Sequence, residues 1–303
     1  MNLQFGAWKN PVIVKYIRTR MRGGRAFIMI TAHLAFLSLI TGLAYFFFIT
    51  AQASPGLLEE RRVFGKVVFG IVIGLELIMV CFIAPAQTAN AITSERERQT
   101  YDLLRVTLLP ARALVMGKYA SGLIFVFLLL FTAIPLLSPA FMFGGVALEE
   151  ILISVLTLTV TALCFSAVGI FLSSLFKRTM LATIVAYALT IIIVFGIPIF
   201  ILIILAFYGE FLFASSLKPP SIPTQVALLL IGWFIMAITP LATIVGTEVI
   251  LVEYQTAFLA TIEIGEDIAI RLPSPWILYT ATYILLSIIL LLISIRLVKR
   301  IEK

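Results

Sequence analysis

Residues 67–92 read VVFGIVIGLELIMVCFIAPAQTANAI, and residues 93–118, directly after them, read TSERERQTYDLLRVTLLPARALVMGK. The first stretch carries a single charge, Glu76, and as a helix it is long enough to cross a hydrocarbon core, which takes about 20 apolar residues. The second is too polar to cross. The chain leaves a membrane near residue 92 and returns near residue 119. Five further segments pass the same test, at about 26–49, 119–142, 151–175, 180–207 and 276–297. The whole composition agrees with them. Of 303 residues, 62% are hydrophobic and 12% charged, against roughly 25% charged in a soluble domain, and the mean hydropathy is +1.15. Such a chain cannot cover itself with polar surface in water. The net charge of +7 does not point to nucleic acid, because its basic residues are scattered between apolar blocks rather than gathered on one soluble face.

The placement of charge sets the expected topology, since Lys and Arg accumulate in short cytoplasmic loops. With the N-terminus inside and six spans, residues 1–25, 93–118, 176–179 and 298–303, together with Arg296, face the cytoplasm. That leaves only Arg61, Arg62, Lys66, Lys218 and Arg271 outside. The acids divide the other way. Glu95, Glu97, Asp102 and Glu302 lie inside, ten lie outside, and Glu76 sits within a span. Segment 226–247 is apolar but broken by Pro240 and Gly246. If it crossed fully, the basic tail from Arg296 would face outward, so it is expected as a re-entrant or interfacial helical pair on the outer side. The expected fold is an all-α integral membrane protein in one membrane domain, 1–303, with six transmembrane helices. An interfacial helix (1–25), a cytoplasmic loop (93–118) and an outer cap (208–273) between spans five and six complete it.

Within the loop, Tyr101, Leu104 and Leu108 recur at helical spacing and define one apolar face. Thr100 can cap this short helix and Pro110 ends it. Glu95, Glu97 and Asp102 alternate with Arg96, Arg98 and Arg105, which gives a mixed-charge surface suited to setting register on a partner. The run from Ser94 through Glu95, Arg96, Glu97, Arg98, Gln99, Thr100, Tyr101, Asp102, Leu103 and Leu104, with Gly117-Lys118 further on, resembles the cytoplasmic signature of ABC transporter permeases of the ABC-2 type. Gln99 stands where Gly is usual, Leu108 replaces a Pro and Ala113 an acid. Asn10-Pro11-Val12-Ile13-Val14-Lys15 is similar to the N-terminal amphipathic helix of that family, and residues 172–182 to its turn between spans four and five.

The resemblance implies that 93–118 forms a coupling helix docked on a cytosolic ATPase subunit, through Ser94–Arg98, Tyr101–Arg105 and Leu108. It implies a second permease, identical or homologous, and a prokaryotic plasma membrane with both termini cytoplasmic. The sequence has no GxxxxGK[ST] phosphate loop: Gly65-Lys66 and Gly117-Lys118 both lack the preceding Gly and the following Ser or Thr. ATP and Mg are therefore expected on the partner ATPase, with no cofactor, metal or catalytic residue on this chain.

Glu76, Ile83, Gln87, Asn90 and Ser94 fall near one line of a helical wheel. A carboxylate in hydrocarbon faces protein or water, so Glu76, Gln87 and Asn90 are candidates for a pathway or a permease–permease interface; a structural polar seam is the other reading. Thr183, Tyr187 and Thr190 make a weaker line in span five. His33, the single histidine, cannot build a bis-His site, and a same-depth polar group such as Gln87 is its expected partner. Cys81 and Cys164 lie in apolar stretches as inert thiols. Lys15, Arg18, Arg20, Arg22 and Arg25 read as an interfacial helix on anionic lipid, and the long basic lead-in is unlike a cleavable signal. The expected function is export of a hydrophobic or amphipathic substrate, such as a drug, lipid, peptide or ion. Alternatives are ATP-driven force on an extracellular partner without cargo, and an ion-coupled carrier or intramembrane enzyme.

Overall fold

The computed structural model describes residues 24–51, 58–99, 110–213, 222–254, 256–264 and 268–301. Residues 1–23, which hold Lys15, Arg18, Arg20 and Arg22, lie outside that set, and so do Thr100, Tyr101, Asp102, Leu103, Leu104, Arg105 and Leu108. Arg25 falls at the start of the first helix.

The described chain is helical almost throughout. Helix α1 (Gly24–Ala51) is followed by α2 (Leu58–Thr88), the short α3 (Thr93–Glu97) and α4 (Ala111–Ala133). Helix α4 runs through a 3-10 turn (Ile134–Leu137) into α5 (Ser138–Met142), and α6 spans Leu148–Leu175. Next come α7 (Thr179–Ile191), a π turn (Ile192–Gly196) and α8 (Ile197–Phe213). Helices α9 (Ile222–Ile238) and α10 (Pro240–Tyr254), a β1–β2 ribbon (Leu259–Ile264, Ile268–Pro273) and α11 (Pro275–Ile301) complete the order. Six helical stretches are long and apolar enough to cross a membrane: Phe27–Thr50, Arg62–Glu97, Ala111–Met142, Leu148–Leu175, Thr179–Ile204 and Pro275–Lys299. They match the six expected spans. Large apolar side chains stand exposed along spans one and five, among them Phe27, Phe46, Phe47, Met180 and Phe200. In water such faces would aggregate; facing lipid they need no cover. The protein is an integral membrane protein.

The core lies where spans two and four meet, and Val68, Val72, Leu77, Leu158 and Phe165 are buried there. Small residues set how closely the helices approach. At Gly169 an added Cβ would stand 2.1 Å from Thr88 Oγ1 and 2.8 Å from the Pro85 carbonyl oxygen; at Gly122 it would stand 2.7 Å from Thr88 Cγ2. Spans two, three and four therefore cross at Thr88, whose side chain is the only one that fits between the two glycines. The free thiols Cys81 and Cys164 are buried, as expected.

Segment 226–247 belongs to the pair α9–α10, bent by 118° at a break just before Pro240. Pro240 has no N–H to give the Met236 carbonyl four residues back. Thr243 Oγ1 donates to that carbonyl instead, at 2.5 Å, and Tyr283 from span six donates its hydroxyl to the Ile238 carbonyl at 2.6 Å. The broken backbone is thus satisfied from within the protein, the condition for irregular chain at membrane depth. The ribbon is an element that the all-α expectation lacked. Its strands pair antiparallel, with Leu259 opposite Pro273 and Ile262 opposite Ile270. It is held to α9 by Trp233, whose Nε1 donates to the Pro273 carbonyl at 2.7 Å.

Candidate functional site at the ends of spans two to five

The charged residues that follow span two turn back onto their own chain. Ile92 and Thr93 begin α3 with amides that have no helical partner. Ser173 Oγ, from the last turn of α6, accepts both, at 2.9 and 3.2 Å. Arg96 spends its guanidinium on the other end of the same junction. Its Nη1 donates to the Phe176 carbonyl at 3.1 Å and its Nη2 to the Ser174 carbonyl at 3.2 Å. Those carbonyls close the C-terminal end of α6, where a cation is favoured by the helix dipole.

Glu97 does the converse. Helix α7 opens at Thr179 after Arg178, which contributes no side-chain cap. The Glu97 carboxylate accepts from Thr179 N–H and from Thr179 Oγ1, each at 2.7 Å. An anion thus caps a helix N-terminus from another segment. Adjacent residues of opposite sign are matched to adjacent helix ends of opposite polarity.

Glu95 closes the fourth side. Its Oε1 lies 2.7 Å from Lys118 Nζ, whose side chain is 2% exposed against 13% for Glu95. Lys118 also donates to the Ala91 carbonyl. One four-residue run, Ser94–Glu97, therefore ties the end of span two to the start of span three, the end of span four and the start of span five. The next two residues, Arg98 and Gln99, are both exposed. Gln99 has φ of +57°, the left-handed conformation. Its N–H bonds to the Arg96 carbonyl at 3.1 Å, closing α3 in the position where glycine is the usual residue.

Among the expected docking residues, Glu95, Arg96 and Glu97 thus make internal contacts, and Arg98 points away. Lys118 and Ser173 did not stand out as site residues. No local spacing could reveal them, because they meet Glu95 and Ile92 only through the crossing of the spans. Stretches 93–99 and 172–182, which the resemblance singles out separately, touch each other.

The polar residues of span two divide in the structure. Glu76 is 2% exposed and faces span one, where His33 Nε2 stands 3.2 Å from its Oε2. That contact is a close approach within ion-pair distance rather than an aligned hydrogen bond. His33 Nδ1 lies 3.2 Å from Met79 Sδ. The expected partner of His33, Gln87, is corrected to Glu76. Spans one and two run antiparallel, and Gln87 lies one residue from the end of α2, at a depth that His33 does not reach. Asn90 is exposed and Gln87 half-buried, so the three candidates do not converge. In span five Thr190 and Thr183 bond to their own helix, at Ala186 and Thr179, and Tyr187 stacks on Phe82 of span two at 6.0 Å.

At the opposite end of the bundle, Lys66 Nζ lies 3.1 Å from Glu248 Oε1 and 3.6 Å from Glu150 Oε1. This pairing joins span two, span four and α10. Among the described residues no group of three or more His, Cys, Asp or Glu side chains is placed to hold a metal ion. No family model matches this chain, and no curated protein matches it in sequence.

Proposed function

We propose that the protein is the transmembrane permease of an ATP-driven exporter of the ABC-2 type. The observation that carries this reading is the Ser94–Glu97 knot, which draws four spans to one point and leaves Arg98 and Gln99 exposed beside it. A membrane-spanning subunit driven by a separate motor needs such a place, where one push reaches several helices together. Residues 98–109 supply the docking surface, with mixed charges for register and an apolar face for the groove. The internal contacts of Glu95, Arg96 and Glu97 fix the point at which that segment leaves α3. In this reading the knot faces the cytoplasm with both termini, and α9, α10 and the ribbon form the re-entrant outer cap. ATP and Mg reside on cytosolic ATPase subunits, and a second permease completes the transporter. The cargo is hydrophobic or amphipathic, and the membrane is the prokaryotic plasma membrane.

The test is co-purification from its native membrane in mild detergent. An ATPase subunit is expected in one-to-one stoichiometry. Arg98→Glu combined with Asp102→Lys is expected to lose it, because both residues belong to the proposed docking surface and the exposed Arg98 is not among the knot's contacts described above. Consistent absence of any nucleotide-hydrolysing partner would sink the proposal. Charge reversal at Glu95 or Glu97 is the wrong test, since it would break the knot itself.

A further inference from the structure

A cavity of about 720 Å³ has no part in the coupling scheme. It lies between the second half of span one, the first turns of span two and the elbow of span three, at the end of the bundle away from the Glu95–Lys118 knot. Its floor is fixed by close backbone contact. A Cβ at Gly145 would stand 2.0 Å from the Arg62 carbonyl oxygen, and one at Gly65 would stand 2.9 Å from that of Ala140. On the facing wall, a Cβ at Gly42 would meet nothing within 4 Å. Span one thus stands off from a rigid floor.

The walls are aromatic. Phe64 lies 6.1 Å from Tyr45 and 5.1 Å, edge-on, from Phe143, and it stacks on Phe48 at 3.9 Å. Among the described residues one cation lines the space, Arg62, and it makes no ion pair with any of them. One turn further along the same helix, Lys66 is already satisfied by Glu150 and Glu248. The Thr41 hydroxyl, also on the wall, has no hydrogen-bond partner among the described residues. A volume of this size suits a whole small ligand, for which about 300–1,000 Å³ is usual.

We propose that this cavity binds an anionic membrane lipid, with its phosphate or carboxylate on Arg62 and an acyl chain along Tyr45, Met142 and Phe143, over the buried Phe64 and Val68. Arg62 begins the apolar stretch of span two, at the depth where lipid headgroups lie. Val68 is six residues further on, about 9 Å into the hydrocarbon at helical rise. Span one is little packed on its other faces, so a lipid reaches the opening sideways from the bilayer. A free anion would use Arg62 and leave the aromatic wall empty. The proposal is independent of the ATPase partner.

The test is native mass spectrometry of the full chain released from bilayers of phosphatidylcholine with a minor share of phosphatidylglycerol. Wild type is expected to retain phosphatidylglycerol with about fivefold enrichment, the worth of one basic side chain near a membrane surface. Arg62→Gln removes the enrichment and Arg62→Lys keeps most of it. Gly42→Trp, which has open space for its ring, lowers retention of both lipids while the protein still melts as wild type. Enrichment that survives Arg62→Gln, or full retention in Gly42→Trp, would overturn the site. So would displacement of the lipid by inorganic phosphate alone, which would make the ligand a free anion.

Discussion

Replacing Lys118 by Met keeps the length of the side chain and removes its charge from a place where 2% of it reaches solvent. Glu95, 13% exposed, loses the ammonium group 2.7 Å from its carboxylate, and the Ala91 carbonyl loses its donor. Removing one member of a buried pair costs about 3–5 kcal/mol, most of it from the stranded charge. For a chain of this size each kcal/mol lowers the midpoint by roughly 2–4 °C, so a fall on the order of 10 °C is expected. The protein carries its own reporter. Cys81 and Cys164 are free and buried, and they become reactive to a thiol-specific dye only as the core opens. The double variant Glu95→Gln, Lys118→Met removes both charges of the pair and should recover more than half of the loss. If Lys118→Met melts within a degree or two of wild type, the knot is a surface contact and the reasoning fails. It fails equally if the double variant is no better than the single.

Three further outcomes follow from packing. Gly169→Ala puts a methyl group 2.1 Å from Thr88 Oγ1 and should cost about 1–3 kcal/mol; Thr88→Ala should restore part of it in the same melting assay, the remainder reflecting the Pro85 carbonyl. Tyr283→Phe leaves the Ile238 carbonyl unpaired at the α9–α10 break, at a cost of about 1–3 kcal/mol, and faster hydrogen exchange confined to residues around 239 would check the mechanism. Gln99→Gly relieves a left-handed residue worth about 1 kcal/mol of strain, so it should hold or raise the midpoint, whereas Gln99→Val should lower it.

The spans were legible because one quantity, the length of an uninterrupted apolar run, decides them. The break at Pro240 was legible for a similarly local reason, the missing N–H. Gly246 acts differently from the second interruption it resembles in sequence: an added Cβ there would meet Met236 Sδ at 3.0 Å, so it marks where the two arms of the bent pair approach. The ribbon was missed although a signal was present. Ala260 and Ile262 alternate with the exposed Leu259 and Thr261, and Gly265-Glu266-Asp267 separates that run from Ile268. Counting its acids as an outer cap hid the period of two. The knot was half legible. The residues of 93–97 stood out by charge, but charge alternation suits a docking surface and an internal clasp equally well. What distinguishes them is the placement of Lys118, Ser173 and Thr179, which is set by how the spans cross.

That crossing has a mechanical consequence. Gly122 of span three and Gly169 of span four both close on the Thr88 side chain of span two, far from the middle of span four. From Gly169 to Ser174, where Arg96 holds the helix, is five residues, about 7 Å; from Gly169 to Glu150 is nineteen residues, about 28 Å. A rigid α6 turning on that fulcrum is a lever with arms in a ratio of about one to four. A shift of about 1 Å at the Arg96 contact would carry Glu150 roughly 4 Å past Lys66, enough to part that ion pair and leave Lys66 to Glu248 of α10 alone at the opposite end of the bundle.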